Sequence, residues 1–174
     1  MPTATDNPPL SQKILGYLLV EHDPQVGFIG GYLLVTSRGR PLEFHCTAPV
    51  QPTRAQEILF GATLESYVRS ELIGAALVQK AKLRPDVLFV AEPSLLSVSG
   101  EGNPSTVLLS LNEPDVSPFG AQPETLLLCE SLAQQLDLAE PFERIREAIR
   151  EAQRLSAPVP QPIPQAPSSD AQAA

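Results

Sequence analysis

Two stretches, KILGYLLVE at Lys13–Glu21 and GFIGGYLLVT at Gly27–Thr36, decide the fold of this 174-residue chain. Both are rich in β-favouring residues, and both are apolar at nearly every position instead of alternating with polar ones. A strand with water on one face shows every second side chain polar, so the pattern predicts a sheet covered on both faces, at least at its centre. His22-Asp23-Pro24-Gln25 between the two runs is turn chemistry and predicts neighbouring antiparallel strands. Gly30 and Gly31 mark either a bulge or a close crossing.

Outward from this pair, Ser37-Arg38-Gly39-Arg40 reads as a tight turn into a third strand. There Leu42, Phe44 and Cys46 alternate with Glu43, His45 and Thr47, so one face is expected to be apolar and the other wet. Pro49 and Pro52 break the chain. Thr53 or Arg54 opens a short helix to Phe60, and a longer helix runs from Thr63 to about Lys82, with Leu64, Val68, Leu72 and Ala76 at i+4 spacing. Arg84-Pro85 ends it. DVLFVAE at Asp86–Glu92 then reads as a buried strand, parallel to a neighbour because a helix leads into it. Pro93–Val98 suits one helical turn, Ser105–Leu111 a fifth strand, and Asn112–Gln122, with Pro114, Pro118 and Gly120, irregular chain. Two helices follow. The first starts at Pro123 and shows Leu126, Cys129 and Leu132 on one face; the second starts at Pro141 with a Phe142, Ile145, Ile149 stripe.

The expected fold is therefore α+β, a mixed five-stranded sheet in the order β-β-β-α-β-β-α-α packed by helices. Residues 1–11, with three prolines, are expected to form a mobile arm, 12–156 one domain, and 157–174 a disordered proline-rich tail.

Twenty acidic against twelve basic residues give a formal charge of -8, which disfavours nucleic acid as a partner unless the cations cluster. No apolar run approaches the roughly 20 residues that cross a bilayer, and residues 1–10 have no basic segment or apolar core of a secretory signal. A cytoplasmic location is expected, with both cysteines, Cys46 and Cys129, free.

Four residues are candidates for chemistry: Cys46, His45, His22 and Glu92. A thiolate beside an imidazole is a nucleophile, yet neighbours on a strand point to opposite faces, so His45 cannot serve Cys46 directly. Only two histidines are present, and no close-spaced pair of the HExxH kind, so neither metal nor cofactor is expected. Three antiparallel strands, a helix and a parallel strand ending at Glu92 resemble the opening of the ribonuclease H-like architecture. That resemblance implies an acid at the end of the parallel strand and bound Mg²⁺, although the first strand here lacks the inward Asp of that architecture and offers only Glu21 and Asp23. On the residues alone, the leading expectation is a non-catalytic interaction or accessory module that binds a protein partner or pairs as a homodimer. The alternatives are a small hydrolase-like enzyme using Cys46, His45 and His22, or a degenerate ribonuclease H-like domain with Glu92.

Overall fold

The computed structural model describes residues 12–98, 105–109, 116–117 and 122–156. The expected mobile arm (1–11) and disordered tail (157–174) lie outside the described residues. Strands β1 (Ile14–Asp23), β2 (Gly27–Thr36) and β3 (Pro41–Cys46) form an antiparallel meander. β4 (Val87–Val90) lies parallel to β1, and β5 (Ser105–Leu109) parallel to β4. The sheet order is β3-β2-β1-β4-β5 with a two-residue strand, β6 (Val116–Ser117), at the far edge. The mixed five-stranded sheet is thus as the sequence predicts, while part of the stretch expected to be irregular supplies the extra edge strand.

Helices cover both faces. Helix α1 (Arg54–Phe60) opens on a capping box in which Thr53 and Gln56 satisfy each other's backbone N–H groups. After a 3₁₀ turn (Gly61–Thr63), α2 (Leu64–Tyr67), a π-helical stretch (Val68–Gly74) and α3 (Ala75–Lys80) follow without a break. They pack on one face against Leu18, Val20, Tyr32, Leu34, Leu88 and Val90. Helices α4 (Pro123–Ala133) and α5 (Glu140–Ser156) cover the other, against Leu15, Tyr17, Leu33, Phe89 and Val107. Consecutive residues of β1, β2 and β4 therefore enter opposite cores, which is why these strands are apolar throughout. Gly30 and Gly31 mark close crossings: a Cβ on Gly30 would stand 2.2 Å from Ile73 Cγ2, and one on Gly31 2.3 Å from Ile145 Cγ2.

Two expectations need correction. The i+4 stripe of the long helix slips by one residue, so that Leu72 is 37% exposed and Ile73 is 0% exposed. The π turn inserts one extra residue per turn and moves the buried row from Leu64 and Val68 to Ile73 and Leu77. On β3, Leu42 and Phe44 were expected to be covered and are exposed, 44% and 37%. Phe44 does share the α5 face, being opposite Leu33, but β3 is an edge strand, and it is Cys46 at its end, not Phe44, that packs against the α5 core.

Candidate functional site

The carboxyl ends of β1 and β4 bring several charged side chains together. From β1 the chain runs to β2 and β3 on one side and then crosses to β4 on the other, and in open α/β sheets such a reversal of strand order leaves a crevice beyond the carboxyl ends of the strands. Register places Leu18 opposite Val90, so Glu92 lies level with Val20 just where pairing stops. Arg69, from the π turn, fills this gap. Its Nη1 donates to the Val20 carbonyl at 2.6 Å and to Glu92 Oε1 at 2.7 Å, while Nε and Nη2 hold Glu65 Oε1 at 3.0 and 2.8 Å. The guanidinium also lies over the Phe28 ring, 5.3 Å from its centroid.

From the opposite face, Arg146 of α5 donates to Glu21 Oε1 at 2.8 Å and also pairs with Glu143. A crevice of 430 Å³ opens here, lined by Glu21, His22, Asp23, Arg69, Arg150 and Gln153 among others. Asp23 is engaged in the turn, accepting the Gln25 and Val26 N–H groups at 2.7 and 3.1 Å. Burial pushes the Glu92 carboxyl up from the ordinary value, and Arg69 opposes the shift without cancelling it. A carboxyl with a perturbed pKa and a specific charge partner in a cleft marks a candidate site.

The four sequence candidates do not meet. His22 lies in the crevice, its ring stacked on Phe28 at 4.3 Å. His45 Nε2 is 2.6 Å from Glu43 Oε1 on the third strand. Both histidines share the α2–α3 face, because His22 is opposite Phe28 and His45 opposite Tyr32. They are separated by four residues along β2 and two strand spacings, about 13 Å by about 10 Å, too far to share an ion. Cys46, opposite Gly31, is on the other face, where it packs beside the α5 core and lines a second groove of 760 Å³. No thiol–imidazole pair exists among them. Cys129 is buried in the core, and burial pushes its thiol up to about 11.

The Mg²⁺ that a ribonuclease H-like architecture implies does not fit this donor set. Among the described residues no three His, Cys, Asp or Glu side chains converge to hold a metal ion, β1 turns only apolar side chains into the core until Glu21, and Arg69 already occupies Glu92.

Arg69, Arg146 and Arg150 are not among the site residues the sequence singles out. Glu65 and Arg69 at i+4 look like any solvated helix pair, and only the π turn aims Arg69 at the strand ends.

No protein-family model matches the chain, and no curated protein matches it. Among solved structures the chain is similar to endonuclease V of Ciona intestinalis: a point variant in complex with a 23mer DNA containing an inosine followed by a ribo-adenosine (TM-score 0.36, 12% identity, 72% of this chain and 57% of that one) and the enzyme with a 24mer of the same kind (TM-score 0.32, 14% identity, the same coverage). The chain thus spans little more than half the length of these structures. These structures are nucleases bound to DNA, contrary to the expected non-catalytic module with a protein partner or homodimer and to the expectation that nucleic acid is disfavoured. That expectation leaned on the net charge of -8, a sum over the chain, whereas arginines from two helices gather at one end of the sheet. No helix among the described residues is long and apolar enough to cross a membrane.

Proposed function

We propose that the chain is a degenerate ribonuclease H-like domain that engages the phosphate backbone of a nucleic acid at the carboxyl ends of β1 and β4, with Arg69 and Glu92 as its central pair. One observation carries the reading: in a sheet ordered β3-β2-β1-β4-β5, the acid beyond the central parallel strand is held by an arginine 2.7 Å away. A fixed guanidinium stands where that architecture would have a divalent cation. Arg69 is committed to Glu65, Glu92 and Val20, so its part is to hold the strand ends together. Arg150, exposed on the crevice wall, is the cation that meets phosphate. A cytoplasmic setting goes with this reading, with Cys46 and Cys129 as free thiols.

The test is fluorescence anisotropy with labelled DNA and RNA oligonucleotides at low salt, where backbone contacts are strongest. Saturable binding is expected, weakened roughly tenfold, or about 1.4 kcal/mol, by Arg150→Glu. Adding Mg²⁺ should produce no strand cleavage. Binding to no nucleic acid would defeat the reading, and cleavage that depends on Mg²⁺ would defeat its degenerate character.

A further inference from the structure

His22 lines the crevice from the end of β1, directly opposite Phe28 on β2. It is exposed, one residue from the end of β1. Its ring lies nearly parallel to Phe28, 29° between planes and 4.3 Å between centroids. Phe28 is itself 7% exposed and lies beneath the Arg69 guanidinium. The imidazole is thus a flat polar ring backed by a buried one, fixed on the same wall as Arg69 and within one crevice of Arg150. Among the lining residues Glu21 and Asp23 stand against Arg69 and Arg150, with Glu21 drawn to Arg146, Asp23 into the turn and Arg69 to Glu65 and Glu92, which leaves Arg150 to face a ligand.

We infer that His22, backed by Phe28, is a stacking platform for an unpaired nucleobase, so that the ligand of the crevice is a single strand whose phosphate faces Arg150 while its base lies on the imidazole. This rests on reading the crevice as a nucleic-acid site and adds to it the kind of strand bound. Histidine is among the side chains on which splayed bases stack, and the contact is sequence-tolerant because every base has a π-face. A base within a duplex has both faces covered and cannot use such a platform.

Two labelled strands separate the inference from the reading beneath it: an oligothymidine, and an abasic deoxyribose-phosphate strand of the same length that keeps the charges and loses the rings. The protein is expected to prefer oligothymidine by roughly fivefold to a hundredfold, the span of one base–aromatic stack. His22→Ala should bring oligothymidine down to the abasic affinity and leave abasic binding as it was. His22→Phe, which keeps a flat ring, should retain the preference; unchanged melting temperatures would show both variants folded. Equal binding of the two strands by the wild-type protein, or a preference that survives His22→Ala, overturns the platform while leaving the phosphate site standing. Failure of both strands to bind overturns the site and the platform together.

Discussion

Glu43 and Glu92 carry the same carboxyl, and the fold pushes them in opposite directions. Glu43 accepts the Lys82 N–H at 3.0 Å, the His45 ring at 2.6 Å and the Leu83 N–H at 3.2 Å. Foremost the Lys82 N–H, then His45, hold its carboxyl down at about 2 from an ordinary 4.5. A depressed folded pKa means that ionised Glu43 stabilises the fold above the ordinary value, and that this contribution disappears as pH falls from 4.5 towards about 2. Urea unfolding should therefore find Glu43→Gln less stable than the wild-type protein at neutral pH, with the two midpoints converging as pH drops through that window. A constant gap would deny the link. Glu92 has the reverse sign: burial favours its protonated form, and any stability from it is present at low pH and lost as pH rises through its raised value. Parity already put Glu43 and His45 on one face in the sequence, but the N–H partners of Glu43 are 39 and 40 residues away, beyond any local pattern. Glu92 was legible as the end of a buried strand; the cation beside it was not.

At the scale of elements, the fold depends on two adjacent glycines in the middle of β2. Strand geometry sends their missing side chains to opposite faces, where Ile73 and Leu77 press from one side and Ile145 and Ile149 from the other. Gly30 also keeps its pairing, donating its N–H to Thr47 Oγ1 at 3.0 Å and accepting from the Thr47 N–H at 3.0 Å. A methyl group at either position must displace a packed helix, and overpacking of this kind costs about 1–3 kcal/mol. Gly30→Ala and Gly31→Ala should each lower the melting temperature accordingly, and Gly61→Ala, whose Cβ would meet nothing within 4 Å, should lose only what its positive φ of 52° imposes. Unchanged melting temperatures for Gly30→Ala and Gly31→Ala would mean that helix approach is not the constraint. The glycine pair signalled a close crossing in the sequence because glycine weakens a strand unless something needs the space. The π turn gave no such signal: a single inserted residue leaves composition unchanged and alters only which of two neighbouring apolar residues, Leu72 or Ile73, faces inward.

For the whole molecule, covering both faces of the sheet leaves its strand ends and edges as the backbone surface open to a ligand, and the two helical layers bring their arginines to the same end. The opposite end is closed by Lys13 and Asp86, 3.0 Å apart, with Asp86 also accepting the Ile14 N–H at 2.8 Å. Because β1, β2 and β4 contribute alternate residues to each core, neither layer can leave without exposing a face of strands that the other still holds. The two cores should then unfold as one cooperative unit. Phe142→Ala, on the α5 side, is expected to cost about 3–5 kcal/mol, and Leu77→Ala, on the α3 side, about 2–5 kcal/mol. Tyr17 and Tyr32 report on the two cores separately, so their ring signals in tyrosine-labelled NMR spectra can be followed through urea in both variants. Shared midpoints for Tyr17 and Tyr32, whichever core carries the substitution, are the expected result; a Phe142→Ala protein that loses Tyr17 while Tyr32 stays native would show two layers folding independently, and a crevice built between them could not then be rigid.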